Sequence, residues 1–286
     1  MSAVAALLPD GRLHLHHGPI DCLCRAWGAP EEVTGAYRQA AEAFAGVLPG
    51  LVGELALLRA ALPSPAPQGA IARAMHAAVS PFEAGFITPM AAVAGAVADH
   101  VLAAMATRRL ERAYVNNGGD IAFHLAPGAT LQAGLVSKLA APALDGVATL
   151  HAHHPWRGLA TSGRACKGQG GRSFSFGIAD AVTVLAEDAA RADAAATVIA
   201  NAVDLPGHPA IIRRPASDID PDSDLGARLI TWDLMPLGDD DIAAALDAGR
   251  GVADALVEAG LIGGAVLALG GRFAASGHRM AQLEPA

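Results

Sequence analysis

Three separate patches of the sequence carry side chains that could bind a phosphate group or a metal ion. The first runs from Asn116 to Asp120, where an apolar strand leads into Asn-Asn-Gly-Gly-Asp. The second is Thr161 to Gly163, and the third is the pair Asp193 and Thr197. Amide, hydroxyl and carboxylate groups beside glycine suit a ligand, because glycine lets it approach the backbone closely. The patches therefore predict a site assembled from distant parts of the chain.

The first patch, which comprises Asn116, Asn117, Gly118, Gly119 and Asp120, also has a purely structural interpretation. Asn-Gly between two apolar runs is the strongest short signal for a β-hairpin. Alone, the patch favours that hairpin. Only its combination with the other two patches favours contact with a ligand.

Asp193 and Thr197 lie four residues apart in a segment that predicts a helix over residues 188–203. Residues at this spacing share one helix face, and a carboxylate with a hydroxyl is oxygen ligation of the kind that Mg²⁺ accepts. The alternative is that Asp193 solvates the helix surface and Thr197 packs inward.

The second patch, Thr161, Ser162 and Gly163, ends a predicted strand and precedes a glycine-rich stretch that contains Lys167 and Arg172. Hydroxyls, flexible backbone N–H groups and cations together favour a pyrophosphate. The glycine spacing matches neither a P-loop nor a dinucleotide fingerprint. An ordinary glycine-rich hairpin loop is the alternative.

In order and composition, the three patches resemble the ApbE-like superfamily, whose best-known members are magnesium-dependent FAD:protein FMN transferases. The family has an Asn-x-Gly-Gly-Asp-like turn, then Ala-Thr-Ser-Gly, then Ala-Asp-Ala-x-Ala-Thr on a helix. This chain has these at Val115–Ile121, Ala160–Gly163 and Ala192–Thr197. The stretches Leu13–Asp21 and Thr88–Ala96 look like a branch of that superfamily found in methanogens and some bacteria.

The resemblance implies an α+β fold, with a central mixed or antiparallel sheet flanked by helices and related to the T-fold. It assigns Mg²⁺ to Asp193 and Thr197, and FAD, FMN or a pterin to the other two patches. The implied function is Mg²⁺-dependent binding and transformation of a phosphate-bearing flavin, pterin or nucleotide-like cofactor, within pterin-linked one-carbon metabolism. The implied partners are this small molecule and an acceptor protein; a non-catalytic cofactor carrier is the alternative.

The segment after the second patch departs from the transferase pattern. Flavin transferases continue with His-x-x-Asp-Pro-x-Thr-Gly, whereas this chain reads Ser173 to Asp180 without the histidine, the proline or the Thr-Gly pair. Asp180 is the acid that could stand in as a catalytic group. Transfer of FMN to a protein is therefore in question, and the enzyme class stays open.

Two His-x-His-His clusters support a different hypothesis, a transition-metal site. Alternate residues of a strand share a face, so four imidazoles could meet if the two strands pair, and Cys22 or Cys24 could add a thiolate. Histidines at strand ends with no metal, and cysteines that simply pack, are the alternatives. The clusters are His14, His16 and His17, and His151, His153 and His154.

Composition narrows the class of protein. The 286 residues are 52% hydrophobic but only 4% aromatic, so small side chains must build the core. The net charge of −8 without a basic stripe argues against a nucleic-acid partner. The longest apolar stretch, Pro89 to Ala98, is too short to span a membrane. Three cysteines and no recognisable leader predict a cytoplasmic protein.

Hydrophobic periodicity and turn residues predict the elements. We expect one ApbE-like domain over residues 1–286, with a mobile excursion at about 205–226, and a homo-oligomer is compatible with the small-residue helix near Ala94. Strands are expected to concentrate at residues 112–186, with a closing hairpin around Gly270 and Gly271. Further predictions are a strand at Leu13–His17 and helices at Glu31–Leu48, from Thr88-Pro89 onward, and from Gly238 to about Gly260.

Overall fold

A computed structural model of the protein describes residues 2–136, 146–163 and 174–277. The chain falls into two compact units. The first comprises Met1–Ala133, Thr149–Ala160 and Ala186–Ala194. The second comprises Gly134–Ala148, Thr161–Leu185 and Ala195–Ala286.

The described residues form strands and helices in an α+β order. The strands are β1 (Val4–Leu7), β2 (Leu13–His17), β3 (Ile20–Gly28), β4 (Leu110–Asn117), β5 (Asp120–Leu125), β6 (Thr130–Leu135), β7 (Gly146–His151), β8 (Gly158–Ser162), β9 (Ala181–Ala186), β10 (Ile211–Pro215), β11 (Leu229–Leu234), β12 (Gly264–Leu269) and β13 (Arg272–Ser276). The helices are α1 (Pro30–Ala45), α2 (Val47–Gly53), α3 (Leu55–Leu58), α4 (Ala70–Val79), α5 (Val93–Met105), α6 (Ala189–Ala202) and α7 (Asp239–Glu258).

The first unit contains a sheet in which β1, β2, β3, β4, β5 and β8 are hydrogen-bonded in that order, each pair antiparallel. Side chains alternate between the faces of a strand. Cys22, Cys24 and Ala26 of β3 are accordingly buried, and the residues between them are half-exposed. Helices α1 and α5 pack on this sheet, so one face is covered, an arrangement common for antiparallel sheets.

The second unit is built around β12, which pairs antiparallel with β9 and with β13. All residues of β9 and β12 are buried, and α7 packs against β12 and β13. Gly249 of α7 is needed there, because a Cβ at this position would overlap a methyl group of Val203. Strands β10 and β11 form a separate antiparallel ribbon with a bulge between Ile212 and Arg213.

These elements confirm the predicted α+β class with an antiparallel sheet and flanking helices. The strand Leu13–His17 has the predicted bounds, and the closing hairpin turns at Gly270 and Gly271, both with positive φ. Among the described residues, no helix combines the length and the apolar character that crossing a bilayer requires.

Three local features add detail to the predicted elements or differ from them. Asp21 lies in β3, because Gly18, with φ +59, and Pro19 complete the turn after β2. Pro89 opens a 3-10 turn, and α5 begins only at Val93. The segment of about 205–226 contains β10, and its character as a mobile excursion stays a prediction.

Candidate functional site

The first patch is a tight hairpin between β4 and β5. Asn117 and Asp120 lie directly opposite each other, and the two-residue loop of Gly118 and Gly119 has φ values of +67° and +113°. Only glycine adopts such values at low cost. The hairpin interpretation is therefore confirmed, and the question becomes where its polar side chains point.

Asn117 and Asp120 share the buried face of the sheet, with 7% and 8% of their surface exposed. The Asn117 amide donates a hydrogen bond from Nδ2 to the carbonyl oxygen of Ala94, at 3.1 Å. Asn116 lies on the opposite face, because neighbours in a strand alternate, and its Oδ1 accepts the N–H of Gly119 at 2.8 Å. The five predicted ligand residues are thus not on one surface; only Asn117 and Asp120 face α5.

Asp193 of α6 carries the central carboxylate of the first unit. Its Oδ2 accepts the backbone N–H of Gly95 at 3.1 Å, and the N–H of Ala94 adds a second hydrogen bond. Burial raises the pKa of Asp193 well above its usual value, and the negative charge of Asp120 raises it further. The pKa increase prevails although both backbone hydrogen bonds favour the charged form. Two carboxylates from distant sequence positions therefore repel each other beside the start of α5.

A second carboxylate, Asp99, makes the helix pairing reciprocal. Asp99 of α5 accepts the backbone N–H groups of Ala189 and Ala190, at 3.0 and 2.9 Å, at the start of α6. In return, Asp193 of α6 accepts the backbone N–H groups of Ala94 and Gly95 at the start of α5. The first N–H groups of a helix lack intrahelical partners, so each helix satisfies the other's free donors. The two acids are thereby held in place by backbone atoms.

The pKa of Asp99 predicts a specific pH dependence of stability. Burial raises this pKa to about 6, above the usual value of 3.8 for an aspartate. The folded state then binds the Asp99 proton more tightly than the unfolded state does, so this contribution is complete below about pH 4 and is lost as the pH rises through 6. Its size is at most about 3 kcal/mol, and nearer 2 kcal/mol because Asp99 keeps some contact with solvent.

Chemical denaturation measured from pH 4 to pH 7 checks this. We expect Asp99→Asn to flatten the fall in unfolding free energy, whereas Asp240→Asn, at an exposed position, should leave the wild-type profile unchanged. An Asp99→Asn profile as steep as that of the wild type would contradict the assignment.

The second patch lies in the second unit, at the end of β8. The hydroxyls of Thr161 and Thr183 are 2.9 Å apart and hydrogen-bonded, and Thr161 and Ser162 are half-exposed. Gly163 has φ +128, and a Cβ there would come 2.8 Å from the carbonyl oxygen of Asp180. The predicted cationic residues Lys167 and Arg172 lie outside the described residues.

The other two predicted functional residues also belong to the second unit. Asp180 accepts the backbone N–H of Gly270 at 2.7 Å through Oδ2, so its carboxylate holds the turn between β12 and β13. Thr197 follows Asp193 by one turn of α6 and is half-exposed. Its role as a metal ligand stays a prediction.

The four-imidazole metal site was wrong. Strand β2 has β1 and β3 as neighbours, whereas β7 pairs with β6, so the two histidine clusters are not on paired strands. His14 and His16 both contact Asp21 Oδ2, at 3.0 and 3.2 Å, while the histidine rings of the second cluster pack on one another. Within residues 2–136, 146–163 and 174–277, no three histidine, cysteine or acidic side chains form a group that could hold a metal.

The packing interpretation of Cys22 and Cys24 is confirmed. Both side chains are fully buried on the helix-covered face of β3. Burial raises the pKa of Cys22 to about 12 and that of Cys24 higher still. Neither thiol is therefore a nucleophile or a ready metal ligand at neutral pH.

Sequence reasoning missed Asp99 and the start of α5 as parts of this site. Asp99 lies 90 residues before the backbone it caps, and no local pattern reports such a contact. Gly95 offered the one available signal: a Cβ there would overlap the carbonyl group of Ala189, so a glycine inside an alanine-rich helix marks a close approach.

Comparison with known proteins shows relatives over part of the chain. A UPF0280 protein of Methanothrix thermoacetophila is 36% identical over 171 residues, which cover 58% of this chain and 64% of that protein. A UPF0280 protein of Archaeoglobus fulgidus is 40% identical over 120 residues, covering 41% and 45%. One of Methanoregula boonei is 34% identical over 170 residues, covering 56% and 66%. The chain thus spans about half to two-thirds of these curated relatives.

Among solved structures, the apo form of the flavinyl transferase ApbE from Pseudomonas stutzeri is similar to this chain, with 14% identity and a TM-score of 0.39. The similar region covers 92% of this chain and 77% of the transferase chain. A likeness of this size does not show that the two proteins share a site. The family model described as "AbpE bacteria", by contrast, matches residues 5–275. The chain therefore belongs to this ApbE-like family, which confirms the resemblance seen in the three sequence patches.

Proposed function

We propose that this protein binds a phosphate-bearing flavin nucleotide together with a divalent cation held at Asp120 and Asp193. The observation that carries the proposal is that Asp120 and Asp193, both in the first unit, lie near enough for the charge of one to affect the other. They come from the hairpin and from α6, and repulsion by Asp120 raises the pKa of Asp193. Carboxylates whose pKa values are shifted by burial and by a neighbouring charge cluster at functional sites.

The donor set fits Mg²⁺. This ion prefers carboxylate oxygens and retains several water or phosphate oxygens in its shell, so one or two protein carboxylates suffice. When bound, it would neutralise the charge of a phosphate group beside the acids. Asp120 and Asp193 would hold it, and the hydroxyl of Thr197 stays a predicted further ligand.

The neighbouring backbone prepares the two acids for this role. The N–H groups of Ala94 and Gly95 orient the Asp193 carboxylate, and the Asn117 amide is fixed on the carbonyl of Ala94. Ligands held by such secondary contacts lose less freedom when a metal binds. The site is thus preorganised by the start of α5.

The flavin part of the proposal rests on family membership and on the sequence patches. Thr161, Ser162 and Gly163 stay predicted phosphate contacts; of these, Thr161 and Ser162 are half-exposed residues of the second unit. A pterin is the alternative ligand, and it would place the protein in pterin-linked one-carbon metabolism. Transfer of FMN to an acceptor protein is not proposed, because the family's histidine-containing segment is missing and Asp180 already holds a backbone N–H.

Calorimetric titration with Mg²⁺ alone tests the cation site. We expect wild-type binding, and about 100-fold weaker binding in Asp120→Asn and in Asp193→Asn, in line with the loss of a ligand or of its support. Asp21→Asn, which removes an exposed carboxylate from the other face of the sheet, is the matched control and should bind like the wild type. Equal affinity in all four proteins would exclude the pair as the cation site.

Removal of the Asp193 charge should also stabilise the cation-free protein. Because burial and Asp120 disfavour the charged form, Asp193→Asn should raise the unfolding free energy at pH 8 by about 1 kcal/mol. Greater stability combined with lost Mg²⁺ affinity distinguishes a binding site from a purely structural cap. A variant that is less stable than the wild type would favour the structural role.

Mass spectrometry of the small molecule released by denaturing the purified protein tests the ligand class. A flavin in near-stoichiometric amount would support the proposal, and a pterin would redirect it. A non-catalytic carrier is the second candidate, favoured by the missing transferase segment. It predicts tight binding with no change in the ligand when an acceptor protein is supplied.

A further inference from the structure

Strand β1 is unusual in being apolar and exposed on both faces. All of Val4, Ala5, Ala6 and Leu7 are exposed, with 53% of the surface of Val4 and 68% of that of Leu7 in contact with solvent. Among the residues that the structure describes, this strand pairs with β2 alone and ends the sheet of the first unit. An apolar strand gains little from standing open to water on both faces.

The outer edge of β1 carries none of the usual protection against another strand. Proteins guard edge strands with charged side chains, proline or a bulge. The stretch from Val4 to Leu7 has no charge and no proline, and its register with β2 is regular, from Val4 opposite His16 to Leu7 opposite Leu13. The edge is therefore open to pairing.

The register also fixes which backbone groups point outward. Leu8 donates its N–H to the carbonyl of Arg12 at 2.8 Å, and hydrogen-bonded and non-bonded pairs alternate along an antiparallel ladder. Val4 and Ala6 therefore direct their N–H and C=O groups toward β2. Ala5 and Leu7 direct theirs away from the sheet.

We infer that β1 pairs antiparallel with β1 of a second copy of this chain, so that the two sheets become continuous. The two-fold axis stands perpendicular to the sheet at Ala6, which places Ala5 opposite the partner's Leu7. The outward N–H and C=O groups of Ala5 and Leu7 then form reciprocal hydrogen bonds. This symmetry keeps the helix-covered faces of both sheets on the same side.

A second copy fits this edge for reasons of shape and symmetry. The residue on the axis belongs to a non-hydrogen-bonded pair, where Cα atoms approach to about 4.5 Å, and the small side chain of Ala6 suits that distance. The sequence of β1 offers no charge to select a different partner strand. Closed two-fold dimers are also the commonest assemblies of identical chains.

The short strand sets the expected strength. Pairing along Val4–Leu7 alone buries less than the roughly 1,200 Å² of a standard stable interface. The dimer should therefore dissociate on dilution. A weak, concentration-dependent equilibrium is the expected behaviour of the full chain.

Sedimentation equilibrium of the full chain tests the inference through two variants. Ala5→Pro removes an outward N–H and leaves the ladder to β2 intact, and edge strands tolerate proline. Leu7→Lys places a charge on the edge. We expect the wild type to dimerise with rising concentration, and both variants to raise the dissociation constant at least about tenfold. Val52→Lys changes an equally exposed apolar residue on α2 and should dimerise like the wild type.

Circular dichroism and thermal unfolding verify that the variants are folded. If Ala5→Pro proves unfolded, the dissociation constant measured for Leu7→Lys alone tests the inference. A wild type that stays monomeric at all accessible concentrations would overturn the inference. So would dimers of unchanged strength in Leu7→Lys.

Discussion

Gly95→Ala should lower the free energy of unfolding by about 3 kcal/mol, at the upper end of the cost of overpacking a core. A Cβ at this position would overlap the backbone carbonyl of Ala189 and approach the N–H of Ala190. Backbone atoms of a helix cannot move aside as a flexible side chain can. Helices α5 and α6 would have to separate, and the Asp99 and Asp193 caps would be lost with the close approach.

The matched control is Gly50→Ala in α2, where an added Cβ meets no atom within 4 Å. Alanine is the better helix former, so this variant should be as stable as the wild type or gain up to about 1 kcal/mol. Urea unfolding monitored by circular dichroism measures both variants. Equal stability of Gly95→Ala and Gly50→Ala would show that α5 and α6 do not depend on this contact.

Asp204→Asn should cost a similar amount, about 3 kcal/mol, in the second unit. Asp204 binds the Arg213 guanidinium with both oxygens, at 2.6 and 2.7 Å, and their side chains are only 18% and 20% exposed. Arg213 also donates to the carbonyl of Phe176, so it fastens β10 to the segment before β9. Loss of the carboxylate would leave a largely buried guanidinium without its counter-ion.

The control for this ion pair is Asp247→Asn. Asp247 contacts Arg250 at 2.9 Å, but the two side chains are 65% and 49% exposed, and exposed pairs contribute little. Guanidinium chloride unfolding should leave this variant close to the wild type. If both variants lose the same stability, burial is not what makes the Asp204 pair important.

Local turn chemistry could be predicted from the sequence, and long-range partners could not. The sequence Asn117-Gly118-Gly119-Asp120 predicts the hairpin, because only glycine readily adopts the φ values that its turn requires. The same residues do not reveal that Asp120 approaches Asp193. The proximity of the two acids depends on tertiary packing, which no short window of sequence encodes.

The histidine hypothesis failed for a related reason. His14 and His16 do share a strand face, as their spacing predicts, but which strand lies beside β2 is decided by the order of strands in the sheet. Asp21, in the adjacent β3, takes the place that the second histidine cluster was expected to fill. Side-chain alternation can be predicted from sequence, whereas the identity of the neighbouring strand is a tertiary property.

The most direct test of the proposed function is fluorescence titration of FAD with the wild type and with Asp193→Asn, each in the presence of Mg²⁺ and of a chelator. We predict tight binding by the wild type with Mg²⁺, and a loss of at least about tenfold in affinity when either Mg²⁺ or the Asp193 carboxylate is removed. An affinity for FAD that is unchanged when Mg²⁺ or the Asp193 carboxylate is removed would contradict a flavin site built on Asp120 and Asp193. The absence of any FAD binding would contradict it as well.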